Sequence, residues 1–182
     1  MKIAVIGATG VVGNKIVQVL EERNFNPEKL IPAASERSVG KKINWKADQI
    51  EIVSIDEALE EKPDIAIFSA GGSVSKKSAK KFSESGCTVI DNSSAWRMDD
   101  DIKLIVPEVN GGILSSEDKL IANPNCSTIQ LVHVLCPLHL TYSLNRVVVS
   151  TYQSVTGSGL KGIEQLDMER EGKKPENPAY PH

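Results

Sequence analysis

The chain has 182 residues, 40% of them hydrophobic and 25% charged, with Lys+Arg 21 against Asp+Glu 24 for a formal net charge of −3. That length holds one ordinary domain, or one domain and part of a second, with enough chain to bury a core. A weakly acidic chain with Trp 2, Tyr 3 and Phe 3 has no basic stripe for a phosphate backbone and no stacking platform for bases, so nucleic acid is not an expected partner. No apolar run approaches the ~20 residues that span a bilayer, so no membrane segment is expected. Met1 leads straight into an apolar run and a glycine turn, without the h-region of a signal peptide, and a cytoplasmic location is expected. Cys87, Cys126 and Cys136 are odd in number and lack ligand spacing, which argues against a disulfide framework and a metal site alike.

In chain order, short β-branched runs alternate with helical periods. Lys2–Ile6 reads as a strand, residues 11–23 as a helix and residues 30–34 as a strand. Residues 42–46 and 51–54 look like a small strand pair, and residues 56–61 like a short helix. Residues 64–69, 75–85 and Thr88–Asp91 follow as strand, helix and strand. The alternation predicts an α/β fold, a parallel sheet covered by helices. Leu120–Ala122 reads as a further strand that delivers the turn Asn123-Pro124-Asn125 and then a helix over residues 127–135, beginning at or beside Cys126. Past Pro137 the character changes: residues 146–155 alternate as a long strand, residues 159–170 have helical spacing, and residues 172–182, with Pro175, Pro178 and Pro181, read as an extended loop.

Gly7-Ala8-Thr9-Gly10-Val11-Val12-Gly13 follows a buried-type strand and opens a helix, the context a dinucleotide fingerprint requires. Its G-x-x-G-x-x-G spacing differs from G-x-G-x-x-G by one residue and still brings backbone N–H groups and a helix N-terminus to a pyrophosphate. Thr9, Gly10, Val11, Val12 and Gly13 are therefore candidate cofactor contacts; the alternative is a tight turn without a ligand. After the second strand comes Ala34-Ser35-Glu36-Arg37-Ser38. Ser35, Arg37 and Ser38 suit a 2′-phosphate, which favours NADP over NAD, although Glu36 leaves a ribose hydroxyl open as the partner and Arg37 could be a solvated charge. Cys126 stands where unsatisfied helix N–H groups favour a thiolate, hence a nucleophile. The bland reading, a small buried hydrophobe, fits Cys87 and Cys136 better.

Taken with Asp91-Asn92-Ser93-Ser94-Ala95-Trp96-Arg97, Val106-Pro107-Glu108-Val109-Asn110, Asn123-Pro124-Asn125-Cys126-Ser127-Thr128 and residues 150–159 (STYQSVTGSG), the glycine loop resembles the aspartate-β-semialdehyde dehydrogenase family over nearly the whole chain. The resemblance implies a Rossmann-type doubly wound parallel sheet over residues 1–125. Residues 126–182 would then be the beginning of an α+β catalytic and dimerisation domain. It implies NADPH-dependent conversion of L-aspartyl-4-phosphate to L-aspartate-4-semialdehyde, a step toward lysine, threonine, methionine and diaminopimelate, in a homodimer when full length. It assigns Cys126 as the acyl-thioester nucleophile, Gln153 as a substrate-orienting residue, and Arg97 as the phosphate-binding group, with Asn125 adding a donor. Thr156 and Gly157 resemble a second cofactor contact on the nicotinamide side, and Ser69-Ala70-Gly71-Gly72-Ser73 a contact with the adenosine or pyrophosphate side.

Alternatives are another acyl-phosphate reductase, such as N-acetyl-γ-glutamyl-phosphate reductase, whose cysteine is typically followed by an aromatic and a proline instead of Ser127-Thr128, and a non-catalytic NADP-binding module with a structural Cys126. Arg97 could instead pair with Asp99-Asp100-Asp101. Family members are roughly twice this length and carry a histidine acid/base and a second substrate arginine in the remainder, so neither His133, His139 nor His182 is assigned that role. The chain alone is expected to bind nucleotide and turn over little, and to expose apolar side chains such as Val147, Val148, Val149, Leu160, Ile163 and Leu166.

Overall fold

Every side chain from Ile3 to Ile6 is at most 2% exposed, which a strand achieves only when both faces of its sheet are covered. In the computed structural model, which describes residues 1–181, β1 (Lys2–Ile6) pairs in parallel with β2 (Lys29–Ala33) on one side and with β5 (Ile65–Phe68) on the other. β6 (Thr88–Asp91) and β7 (Leu120–Ala122) extend the sheet, giving the order β2-β1-β5-β6-β7, all parallel. Alternation along β1 divides the core. Ile3 and Val5 pack with Val17 of α1 (Val11–Glu22) and with Ile43, Trp45 and Ile50 of a hairpin, while Ala4 and Ile6 pack with Ala58 of α2 (Ile55–Glu60) and Ala79 and Phe82 of α3 (Gly72–Glu84). The sheet is thus doubly wound, and the chain reverses its direction of travel across it between β1 and β5, where such folds open a ligand crevice at the carboxyl ends of the strands.

The turn after β1 is built on close backbone approach. Gly7 has φ 91°, and a Cβ there would lie 2.6 Å from the Ser69 carbonyl oxygen; a Cβ on Gly13 would lie 2.0 Å from the Gly7 carbonyl oxygen. Only hydrogen fits at either position, and the result is that α1 starts directly against β1 and β5. α2 begins with a capping box: the Ser54 hydroxyl accepts from Glu57 N–H, and the Glu57 carboxylate accepts from Ser54 N–H. Those bonds to Ser54 hold the Glu57 carboxyl below its ordinary value.

Several boundaries differ from the sequence reading. The hairpin is β3 (Lys42–Trp45) with β4 (Asp48–Glu51), joined at Lys46 in the left-handed region with φ 55°. Ile52 N–H still bonds across the hairpin to Lys41 O, and Val53 then joins the main sheet by bridging Ala33. α3 starts at Gly72 because Gly71, at φ 86°, turns the chain directly into the helix. α4 (Pro107–Asn110) precedes β7, and α5 (Cys126–Tyr142) continues through Pro137 to a left-handed Ser143. Pro137 forgoes one helix bond, and the turns on either side hold.

The expected strand over residues 146–155 is not formed. Residues 146–154 have no ladder partner among the described residues, and an extended segment is stabilised as a strand only by neighbouring backbone donors and acceptors. Val147, Val148 and Val149 are accordingly exposed, as is Leu160, whereas Ile163 and Leu166 are half-buried. A 3-10 turn at Val155–Ser158 leads to α6 (Leu160–Arg170). Residues 172–181 carry no helix or strand, in keeping with the expected loop, and His182 lies outside the described residues. No described helix is long and apolar enough to cross a membrane. Replacing Gly13 with Ala should cost about 3 kcal/mol or more, the upper end of overpacking penalties, in urea unfolding followed by circular dichroism. Gly112→Ala, where an added Cβ meets nothing within 4 Å, should leave the midpoint nearly unchanged.

Candidate active site

The glycine loop supplies donors. Gly10, the residue before α1, has no capping side chain, and the first turn of α1 contains no acidic residue; Gly71 before α3 is the same in both respects. Both helix starts open onto one crevice of about 590 Å³, lined by Gly10, Val11 and Val12 on one side and Ser69, Ala70, Gly71 and Gly72 on the other. Two uncapped helix N-termini facing a common space are a fit for a dinucleotide pyrophosphate. Ser69 to Gly72 carried only a weak sequence signal, a strand ending in paired glycines, yet all four line the crevice. Asn92, Ser93 and Ser94 line it too; sequence reasoning quoted their motif and gave them no role.

Ser35, Arg37 and Ser38 form the turn after β2, with Ser38 N–H on Ser35 O at 2.8 Å. The turn adjoins the glycine loop, since Gly7 and Ala8 N–H both donate to Ala33 O. Ser35, Glu36 and Arg37 are exposed, and Arg37 and Glu36 make no hydrogen bond or ion pair among the described residues. Thr9 is exposed on the loop, while Gly13 is buried beneath it.

Cys126 is the first residue of α5 and is exposed. Asn125 caps that helix: its side-chain oxygen accepts from Ser127 N–H at 3.0 Å and from the Ser127 hydroxyl at 2.6 Å. Gln153 lies 27 residues further on and brings Nε2 to 3.9 Å from the Cys126 sulfur. The long strand expected around it is absent, and the loop conformation is what turns the amide toward the thiol. Val11 and Val12 of the dinucleotide crevice also line a cavity with Cys126, Gln153, Thr156 and Gly157, so the thiol and the start of α1 share one space. On its other side Cys126 faces a cavity of about 530 Å³ walled by Ser158 and Tyr180. Sequence reasoning assigned neither residue a part in the site. The Tyr180 hydroxyl contacts the Ser158 hydroxyl, and Gln165, 6% exposed, accepts from Ala179 and Tyr180 N–H to hold that loop in place.

Arg97 also lines the crevice, as does Asn125. Among the described residues it forms no pair with Asp99, Asp100 or Asp101; its Nε–H donates to Asn123 O at 2.9 Å and its Nη2 to Asn92 O at 3.1 Å. Two carbonyls thus orient the guanidinium and leave further N–H groups for an oxyanion. Neither oriented partner neutralises its charge.

His133 lies two turns beyond Cys126 and is tied away from it, with Nδ1 on Ile129 O at 2.7 Å and Nε2 against Glu108 of α4 at 3.2 Å. The bond to the Ile129 carbonyl and then Glu108 raise its pKa above the ordinary imidazole range. A raised folded value contributes stability that is complete below the unfolded pKa and is lost as pH rises through the folded one. Thermal melts from about pH 5.5 to 8.5 should show a decline on the alkaline side that Glu108→Gln reduces. Cys87, by contrast, is buried, and burial foremost, with Asp64 adding to it against Lys119, pushes its thiol up to about 12. Iodoacetamide at neutral pH should therefore modify Cys126 while leaving Cys87 untouched until the protein unfolds, as read by peptide mass mapping; equal labelling of the two would contradict the geometry.

The sequence profile of the family described as "Semialdehyde dehydrogenase, NAD binding domain" matches residues 2–116. The aspartate-semialdehyde dehydrogenase of Aquifex aeolicus is 49% identical, the match covering 100% of this chain and 56% of that protein. Among solved structures, aspartate semialdehyde dehydrogenase II of Vibrio cholerae, complexed with ASA, superposes with a TM-score of 0.90 at 39% identity, covering 100% of this chain and 56% of that one. The Candida albicans aspartate semialdehyde dehydrogenase with NADP superposes at 0.62 and 27% identity, covering 79% and 48%. The chain therefore spans about half the length of the relatives it matches. A doubly wound parallel sheet with its glycine loop, and a profile match over most of the chain, together make it a member of the aspartate-semialdehyde dehydrogenase family.

Proposed function

We propose that this chain carries the dinucleotide-binding and nucleophile-bearing part of an NADPH-dependent enzyme that reduces L-aspartyl-4-phosphate to L-aspartate-4-semialdehyde and phosphate. The observation that carries the reading is the shared space between Cys126, Gln153 and the N-terminus of α1, because a thiol beside a dinucleotide site is what reduction of an activated acyl group demands. The solved relatives with ASA and with NADP support the substrate and the cofactor.

In this mechanism the Cys126 thiolate attacks the acyl carbon, a C–S bond forms, the C–O bond to phosphate breaks, and the leaving phosphate takes the electron pair. Arg97 binds that phosphate through the guanidinium edge its two carbonyl partners leave open, and Asn125 adds a polar contact. Gln153 holds the acyl group against the sulfur. A nicotinamide dinucleotide supplies, when bound, the hydride that reduces the thioester, and the resulting hemithioacetal releases Cys126 and the aldehyde. Gly10, Val11 and Val12 would hold its pyrophosphate, with Thr9 exposed beside them, while Gly13, buried beneath the loop, serves the turn instead of touching the ligand; Thr156 and Gly157 would hold its nicotinamide side, and Ser35, Arg37 and Ser38 a 2′-phosphate. None of His133, His139 and His182 is assigned the acid/base role here, so the acylation half-reaction is the informative assay. The homodimer of the full-length protein belongs to the same proposal.

Mixing the chain with aspartyl phosphate in the absence of cofactor should release a burst of about one phosphate per Cys126 and add the aspartyl mass to the peptide containing it. Cys126→Ala should abolish both, and Arg97→Leu should slow the burst by about a hundredfold, in line with losing a charged hydrogen-bonding group to the reacting phosphate. A burst that survives in Cys126→Ala would overturn the assignment.

A further inference from the structure

β6 ends on a carboxylate that the mechanism above leaves unused. Asp91 is 0% exposed, and its Oδ1 has no hydrogen-bond partner among the described residues. Its Oδ2 accepts from the Ser93 hydroxyl at 2.6 Å. Because that hydroxyl proton is committed to the carboxylate, the Ser93 oxygen turns its lone pairs outward, and one accepts from Ala95 N–H at 3.1 Å. The turn so fixed delivers Trp96, 3% exposed with Nε1 on the Ser75 hydroxyl at 2.8 Å, and then Arg97.

The same strand end sets both carbonyls that orient Arg97. Asp91 O accepts from Asn123 N–H at 2.8 Å, and Asn123 O receives Arg97 Nε–H. Asn92 N–H is anchored on Phe68 O at 2.9 Å, its side chain receives Asn123 Nδ2 at 2.6 Å, and its carbonyl receives Arg97 Nη2. The ring of contacts runs from Asp91 through Ser93 to Arg97 and back through Asn123 and Asn92, and of its members Asn92, Ser93 and Arg97 line the crevice. A buried acceptor left half-unsatisfied is unfavourable in itself; here the oxygen that is satisfied is the one that fixes this turn.

We infer that Asp91 is a positioning residue: through the Ser93 hydroxyl its carboxylate locks residues 92–97 in the conformation that aims the Arg97 guanidinium into the crevice. The inference rests on the reading of Arg97 as the phosphate-binding group for its functional meaning, and on the hydrogen bonds alone for its structural content.

The test uses the full chain with Asp91→Asn, which keeps an acceptor oxygen, Asp91→Leu, which has none, Ser93→Ala, which breaks the relay without altering the core, and Arg97→Leu. One readout is exchange of the Arg97 Nε–H with water by NMR; the other is affinity for inorganic phosphate. Exchange should accelerate at least about tenfold in Ser93→Ala and Asp91→Leu, and phosphate affinity should fall by about tenfold, the scale of one hydrogen bond to a charged group, while Asp91→Asn stays near the parent in both. If Asp91→Leu does not fold, Ser93→Ala decides. Unchanged Nε–H exchange in Ser93→Ala, or an Asp91→Asn variant as impaired as Asp91→Leu, would overturn the inference. Phosphate affinity that is indifferent to Arg97→Leu, with exchange still accelerated in Ser93→Ala, would remove the phosphate assignment and leave the positioning role standing.

Discussion

The architecture depends on a contact between backbones. Gly7 lies against the Ser69 carbonyl and Gly13 against the Gly7 carbonyl, at separations where no side chain fits. That approach lets α1 begin immediately beyond β1, sets its uncapped N–H groups beside those of α3, and leaves a crevice between the ends of β1 and β5. Hydrophobic burial holds the sheet together. The missing Cβ atoms decide that its carboxyl edge is open, lined by donors instead of by methyl groups.

Around that edge the chain distributes its chemistry over segments far apart in sequence. β6 ends at Asp91 and begins the turn that carries Arg97; β7 ends at Ala122 and leads to Asn125 and Cys126; the loop from residue 150 returns Gln153 to the sulfur. Parallel strands make this economical, because every strand in the sheet points its carboxyl end the same way, so each successive loop lands on the same rim. The three thiols illustrate how placement governs reactivity. Cys87 immediately precedes β6 and is sealed inside, Cys136 lies along a helix, and Cys126 opens a helix at the rim.

Much of this was legible in the residues. The alternation of short apolar runs with helical periods anticipated the parallel sheet, the glycine spacing anticipated its crevice, and Cys126 beside a helix start was readable from Asn125 and the period that follows. The second strand of the hairpin starts at Asp48 and not at residue 51 as its composition suggests, because the left-handed Lys46 lets the chain reverse within two residues. Residues 146–154 were misjudged for a deeper reason: their alternation satisfies the local condition for a strand, whereas the condition that forms one is a partner. Ser158 lies in the quoted 150–159 motif without a role to read from it, and Tyr180 reaches the Cys126 cavity because Gln165 holds its loop against α6.

The sequence by itself therefore determined the class of fold, the site of the glycine turn and the residue that opens α5, all of which follow from periodicity and backbone freedom over a few neighbouring positions. Tertiary structure decided which distant side chains meet: Gln153 with Cys126, Arg97 with the carbonyls of Asn92 and Asn123, and Asp91 with the turn that aims Arg97. Propensity acts over a few residues along the chain. Hydrogen bonds and cavities between segments exist only after the sheet has brought its strand ends to one rim.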